Sequence, residues 1–330
     1  MAEDRPADHK RLPMKKIFLA LLSTCVLHAS AHAADKIRIG FATVVSSVLF
    51  PLALKKGFLK DEGIEAEVIQ MTGNVPIAAL ASGELDYHTV LGTSVRGAIQ
   101  GLPLRAVAFY SIGSQMVLVA RGDLKSVKDL KGKTVAIGSP GGAPDTNGRR
   151  IVKHFGLEPD KDVKFAPGGG AEGNIVRVQQ GLVDATVVPI PLDLRARKLG
   201  LNVLARGYEI FPYAGGGLAT TTRKIKEKAE EIKRVIKAGI NASRYVRADR
   251  DGTIQFLLEW QKSDREVATA AYEFLSKVIN KDGSMPEKGF RFLIEDIKES
   301  VKVTREVPFN EVSDLSLLKA AQKEMGITVK

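Results

Sequence analysis

The chain has 330 residues, with 49 Lys and Arg against 38 Asp and Glu, for a formal net charge of +11. No dense basic run with interleaved aromatics accompanies that charge, so nucleic acid is a poor partner. The single cysteine, Cys25, lies near the amino terminus, which excludes a disulfide, a thiolate nucleophile or a cysteine metal site from the rest of the chain.

Met1–Ala33 reads as a secretory signal peptide. Lys15 and Lys16 supply the positive region, Ile17–Leu27 the apolar one, and Ala31-His32-Ala33 a small-x-small cleavage site before Ala34. The apolar stretch is too short to span a membrane, which takes roughly 20 residues. Met14 fits as a start, which would make residues 1–13 an upstream extension. A second reading ends a lipoprotein signal at Cys25, although Thr24 stands where a small residue is usual.

Ile37–Phe41 alternates apolar and polar residues as a strand does, and Thr43–Ser47 is a hydroxyl-rich turn. Val48–Lys56 is expected to be a helix capped by Ser46 or Ser47, with Pro51 near its first turn and Gly57 at its end. Ile64–Ile69 alternates again. Together these make a βαβ unit whose helix starts just past a strand end, where free N–H groups and the helix dipole favour an anion or a polar ligand.

That unit occurs twice. In the first copy Asn74 caps a helix, Val75–Ser82, ending at Gly83. Asp86 leads into strand Tyr87–Leu91, and Gly92-Thr93-Ser94 starts a helix ending at Gly101 before strand Leu104–Phe109. In the second, strand Thr134–Gly138 meets the glycine-rich turn Ser139–Pro144. Helix Asp145–Phe155 ends at Gly156, and strand Val163–Ala166 follows. A helix within Glu172–Gln180 ends at Gly181, Asp184 leads into strand Ala185–Val188, and a helix within Ile190–Lys198 ends at Gly200 before strand Asn202–Ala205. The landmarks are Gly83-Glu84-Leu85-Asp86 and Gly181-Leu182-Val183-Asp184, with 15 and 16 residues from each Asp to the next helix-ending glycine. Each is locally explicable, but their shared order points to two α/β lobes with mostly parallel sheets.

Arg121–Leu130 is read as the crossover to the second lobe and Ala214–Thr222 as the return, with small residues suited to hinge closure. Amphipathic helices then follow at Arg223–Val246, Arg250–Gln261, Asp264–Lys277, Pro286–Ser300 and Asp314–Met325, packing mainly on lobe one. The domains expected are residues 1–33 (signal peptide), 34–122 (lobe I), 123–218 (lobe II) and 219–330 (return crossover and C-terminal helices). The basic stretch Lys224–Lys237 reads as a solvated face laced with ion pairs, and Trp260 as core.

IRIGFAT, PLALKKGFLKDEGIEAEVI, ASGELDYHTVLGTSVRGAIQGLPLRAVAF and DLKGKTVAIGSPGG together resemble the periplasmic solute-binding proteins of ABC importers, of the nitrate, sulfonate, taurine and thiamine-pyrimidine type. The resemblance implies a two-lobed type II binding-protein fold. It also implies ligand contacts at Thr43, Ser46, Ser47, Thr72, Gly73, Asn74, Gly92, Thr93, Ser94, Gly141, Gly142, Ala143 and Asp145, with Gly169, Gly170, Asn174 and Pro189 added from lobe two. Partners implied are a small-molecule solute and an inner-membrane permease with its ATPase; the protein would act as a monomer without cofactor or metal. The pyrimidine-type members use a cysteine-containing motif and further histidines, whereas only His88 and His154 follow the leader here.

These positions are hydroxyls, glycines and helix-start N–H groups, suited to an anionic or zwitterionic solute such as a sulfonate, a nitrate-like oxyanion or a carboxylate. Asp145 is either a helix cap or the partner of an amine. Arg96 and Arg149 are either solvated helix residues or cleft cations, and Tyr87, His88, Tyr110 and Tyr213 are candidates for an aromatic wall. No phosphate-binding Gly-x-x-x-x-Gly-Lys-Ser/Thr loop and no catalytic constellation is present. The expectation is a binding protein, with a sensor receptor or an exported enzyme on the same fold as alternatives.

Overall fold

A computed structural model describes Met1 and residues 35–42, 44–71, 75–285 and 287–328. The leader reading and the expectations at Thr43, Thr72, Gly73 and Asn74 therefore lie outside the described residues. Among those described are ten named strands: β1 (Asp35–Phe41), β2 (Ile64–Gln70), β3 (Tyr87–Val90), β4 (Leu104–Gly113), β5 (Met116–Ala120), β6 (Thr134–Ile137), β7 (Lys164–Pro167), β8 (Ala185–Pro189), β9 (Asn202–Arg206) and β10 (Pro212–Thr221). They form two five-stranded sheets, ordered β2-β1-β3-β10-β4 and β7-β6-β8-β5-β9.

Each sheet begins as the repeat predicts. β1 runs parallel to β2 and β3, and β6 runs parallel to β7 and β8. The sheets are nonetheless mixed rather than mostly parallel. β10 lies antiparallel between β3 and β4, and β5 lies antiparallel between β8 and β9. The strand that follows β4 thus already belongs to the second sheet, and the strand that follows β9 belongs to the first. The chain crosses at Ser114–Gln115, upstream of the expected Arg121–Leu130. Met116–Ala120 is buried throughout and reads as an unbroken apolar run, which a central strand produces in place of alternation.

The landmark aspartates do the same work in both copies. Asp86 Oδ2 accepts from the Arg38 N–H at 2.7 Å, and Asp184 Oδ2 accepts from the Thr134 N–H at 2.9 Å. Each aspartate's own N–H donates back to the same residue's carbonyl at 3.0 Å. β1 at its middle and β6 at its first residue are therefore each clamped by the aspartate that leads into the neighbouring strand. Gly83 (φ 82°) and Gly181 (φ 72°) turn the chain into these clamps from the left-handed region, where a Cβ is strained.

Local capping differs from expectation at one helix. Val45–Ser47 is a 3₁₀ turn and the α-helix runs Leu49–Lys55, with no side-chain cap from Ser46 or Ser47. Both serines lie inside the turn, so their hydroxyls do not face the first free N–H groups. The C-terminal helices Arg250–Gln261, Arg265–Val278 and Glu287–Ser300 form close to the bounds read, whereas the stretch read as one helix over Arg223–Val246 breaks at Lys228 into Thr222–Glu227 and Ala229–Ala248. The helix Ala229–Ala248 buries Tyr110 against it, the Tyr110 hydroxyl donating to the Ile236 carbonyl at 3.2 Å. Trp260 packs on Phe41 and Phe256. Lys224 is not on a solvated face. It is mostly buried and pairs with Asp86 and Glu231 at 2.7 Å each, and Glu231 also accepts from the Tyr87 hydroxyl at 2.6 Å.

Removing a clamp deprives a strand N–H of a charged acceptor, a bond of about 1.5–3 kcal/mol. Asp184→Ala is expected to lower stability by about that amount in urea unfolding. Asp86→Ala is expected to cost more, because Lys224 then keeps only Glu231 in a largely buried site. Wild-type stability in both variants would mean that these aspartates serve only as turn residues.

Candidate functional site

A cavity of about 280 Å³ is lined from both sheets and from the C-terminal helix Glu287–Ser300. From the first half come Ala42, Val44 and Ser46 after β1, and Val90, Gly92, Thr93 and Arg96 where β3 passes into the helix Leu91–Ile99. The crossing supplies Gly113–Met116, and the returning strand supplies Tyr213, Ala214 and Gly215. The second half adds Gly141–Ala143, Thr146 and Asn147 at the start of the helix Ala143–His154, and the C-terminal helix adds Leu293, Asp296 and Ile297.

Glycine is what lets these segments converge. A Cβ at Gly216 would overlap the Ser46 carbonyl oxygen, so β10 passes beneath the turn after β1 only because no side chain stands there. The crossing is tied to the second half by Ser114, whose hydroxyl donates to Asn147 Oδ1 at 2.5 Å and accepts from the Met116 N–H at 3.1 Å. Asn147 Nδ2 in turn donates to the Ala143 carbonyl at 2.8 Å.

Of the expected contact residues, Ser46, Gly92, Thr93, Gly141, Gly142 and Ala143 line this cavity. Ser47, Ser94, Asp145, Gly169, Gly170, Asn174 and Pro189 do not. Ser47 is buried with its hydroxyl unpartnered among the described residues, and Ser94 Oγ is engaged with His88 Nδ1 at 3.1 Å. Asp145 is neither the helix cap, which is Gly142, nor turned to the cavity. It accepts from the Gly141 N–H at 2.8 Å and from Arg149 Nε at 2.6 Å. Asn174 is buried and holds the Gly169 carbonyl at 3.2 Å, while Pro189 pairs with Met116 in the sheet. Of the aromatic candidates only Tyr213 reaches the cavity; Tyr87, His88 and Tyr110 are core.

The charges are uneven. Arg149 is occupied by Asp145 and Asp160, and Arg150 by Asp296. Arg96 lines the cavity with no ion-pair partner among the described residues. Its helix begins at the cavity wall, so the first N–H groups there, at Leu91, Gly92 and Thr93, lie beyond the reach of intrahelical acceptors. Asp296 is buried, receives Arg150 Nε at 2.8 Å and Nη2 on Oδ1, and leaves Oδ2 without a partner among the described residues. Burial raises the Asp296 pKa, against the pull of Arg150. Burial, and then Asp296, push the Tyr213 phenol upward, with Arg150 and Arg96 acting the other way, so Tyr213 faces the cavity protonated.

Sequence reasoning found the helix starts and missed the crossing residues Ser114 and Gln115 and all of Glu287–Ser300. The crossing carries a signal in retrospect, a polar Ser114-Gln115 pair between two apolar strands. Asp296 carries none, since an acidic residue on an amphipathic helix is ordinary until its neighbours are known.

Two mixed sheets, exchanging one strand each across a shared cavity, are the fold of the periplasmic solute-binding proteins. The structure is similar to that of the periplasmic sulfonate-binding protein of Methylobacillus flagellatus (TM-score 0.73, 17% identity, covering 89% of this chain and 96% of that one). It is also similar to the aliphatic sulphonate binding protein of Escherichia coli (TM-score 0.68, 18% identity, 85% and 92%). In sequence it is 24% identical over 261 residues to a protein of Brucella abortus described as a binding protein, covering 76% of this chain and 80% of that protein. Residues 47–252 match the family described as NMT1/THI5-like, and the chain belongs to that family.

His88, 1% exposed, is a structural group with a measurable signature. Burial pushes its imidazole down to about 4 from an ordinary 6.5. The unfolded chain takes up this proton at the ordinary value and the native chain does not, so lowering the pH from about 6.5 to about 4 favours unfolding. The contribution reaches about 3 kcal/mol at the lower end. His88→Asn is expected to flatten the pH dependence of urea stability in that window; an unchanged slope would place the titration elsewhere.

Proposed function

We propose that the protein is the periplasmic solute-binding component of an ABC importer. It closes two lobes on a small organic anion, such as a sulfonate or a carboxylate, and presents the closed form to an inner-membrane permease and its ATPase. The lobes are the halves built on the two sheets. The two crossings, at Ser114–Gln115 and between Arg206 and Pro212, act as the hinge. Family membership supports this reading, and so does a leader of secretory type.

The observation that carries the choice of an anion is Arg96. It is a guanidinium without a carboxylate partner among the described residues, on a wall built from both halves, one turn into a helix whose free N–H groups begin at the same wall. A charge-assisted hydrogen bond contributes about 1.5–3 kcal/mol and a partly buried helix N-terminus up to about 2. With the Tyr213, Ser46 and Thr93 hydroxyls, such contacts reach the roughly 8 kcal/mol of micromolar binding.

A thermal-shift panel of sulfonates, short carboxylates, aromatic carboxylates and nitrate tests this. Ligand at 100 times its dissociation constant adds about 2.7 kcal/mol, a visible rise in melting temperature. At least one acid is expected to shift the protein and to be recovered unchanged. Arg96→Gln is expected to weaken it tenfold to a hundredfold while the ligand-free melting temperature stays put. A hit that Arg96→Gln leaves unaltered would remove the anion assignment, and a hit that is consumed would make the protein an enzyme.

A further inference from the structure

The helix Glu287–Ser300 touches both halves. Phe290, Leu293, Ile294 and Ile297 belong to the apolar cluster of the first half, with Leu91, Val95 and Phe109, and the Phe290 and Phe109 rings meet edge to face at 4.9 Å. Phe292, Asp296 and Ser300 follow one another at a spacing of four residues, which lines side chains up along one helix face. All three meet the second half. Phe292 packs against that half's apolar cluster, its ring 6.1 Å from that of Phe211. Asp296 pairs with Arg150, and Ser300 lies so close to the glycine-rich turn that a Cβ at Gly141 would stand 3.1 Å from its own.

The two faces hold in different ways. The first is buried hydrocarbon, so the helix stays with the first sheet. The second turns on one side chain of the helix Ala143–His154. Arg150 donates Nε to Asp296 Oδ1 at 2.8 Å, and Nη2 to that same oxygen and to the Phe292 carbonyl, the latter at 3.2 Å. Its guanidinium also lies 4.5 Å from the centre of the Phe292 ring. With Asp296 7% and Arg150 22% exposed, solvent screens this pair less than an exposed one.

The pair stands at the edge of the cavity. Asp296 and Ile297 line it from the helix Glu287–Ser300, and Gly141–Ala143, Thr146 and Asn147 line it from the second half, with Arg150 one helical turn beyond Thr146. A motion that parts these walls therefore parts Arg150 from Asp296. The adjacent Arg149 is the contrast: its partners Asp145 and Asp160 lie in its own half, so the same motion leaves them together.

We propose that Arg150 and Asp296 form a latch that holds the two halves shut over the cavity, with Glu287–Ser300 as the strap by which the first half reaches the second. This rests on the closing-lobe reading above and names the contact that sets the balance between open and closed forms. A solute that needs the closed form binds with an affinity scaled by the closed fraction, so the latch tunes affinity without touching the solute.

Small-angle X-ray scattering of the protein without added solute tests the latch apart from the anion assignment. Arg150→Gln and Asp296→Asn are each expected to raise the radius of gyration above that of the wild type, with circular dichroism unchanged. The double variant is expected to expand no further than the single ones, because all three lose the same contact. Arg149→Gln is expected to scatter as the wild type does. Arg150→Lys keeps the charge but loses the forked geometry and the stacking on Phe292, and is expected to fall between wild type and Arg150→Gln; it serves as the second variant should Asp296→Asn fail to fold. Wild-type scattering from Arg150→Gln and Asp296→Asn would overturn the latch. Equal expansion by Arg149→Gln would overturn it too, since loss of either arginine would then merely loosen the second half. Expansion by the latch variants in a protein that binds none of the panel acids would remove the anion assignment and leave the latch standing.

Discussion

The pairing of β10 with β4 is the constraint on which the rest of the molecule depends. Pro212 lies opposite Gly113 and Gly216 opposite Ser111, so the outgoing and returning crossings run side by side. A chain that leaves one sheet and comes back to it must satisfy its backbone groups on the way. Here the two passages satisfy one another, with irregular register where they bend. The cavity is the space this leaves: its floor is the crossing pair, and its walls are the turns and helix starts that each sheet presents there. Gly216 keeps the passage narrow, since any side chain there would displace the turn at Ser46.

Around that seam each half is built by one recurring device. An aspartate leads into an inner strand and grips the strand beside it through both its carboxylate and its own N–H. The first copy has acquired an additional layer, in which Lys224 and Glu231 from the C-terminal segments join Asp86 and Tyr87 in a nearly closed set of charges and a hydroxyl. Buried charges of this kind are tolerable only when every member is partnered. This network also anchors the C-terminal segment to the first sheet, as the Ala106–Ser313 and Ser111–Ile279 bridges do at its edge.

The same rule separates scaffold from site. Asp145, Arg149, Ser94, Asn174 and His88 carry chemistry suited to a ligand, yet each is occupied within the fold. Arg96, Gln115 and Asp296 line the cavity; Arg96 has no ion-pair partner, and Asp296 Oδ2 and Gln115 Oε1 are buried without hydrogen-bond partners, among the described residues. Residue type therefore says little about function until the hydrogen-bond partners are counted. The resemblance to sulfonate-binding structures speaks for the fold; the unpaired groups are what speak for this chain's own chemistry.

What the sequence determined by itself was the local grammar. Period-two strands, glycine stops at 83 and 181 and the doubled aspartate landmark follow from steric and hydrogen-bonding rules that act over a few residues. These rules predicted two α/β halves and the run of C-terminal helices, while half of the glycine and hydroxyl positions at the cavity wall came from the family resemblance. Tertiary structure decided the rest, because it rests on distance in space rather than along the chain. The exchange of β5 and β10 makes the sheets mixed, and no periodicity reveals which sheet a buried apolar run will join. Arg150 and Asp296 are 146 residues apart and meet only after the last long helix closes over the second half. The place of Asp145 was settled in the same way: Arg149 stands one helical turn from it and claims it locally, while Asp296, which lines the cavity, meets its partner Arg150 only from across the fold.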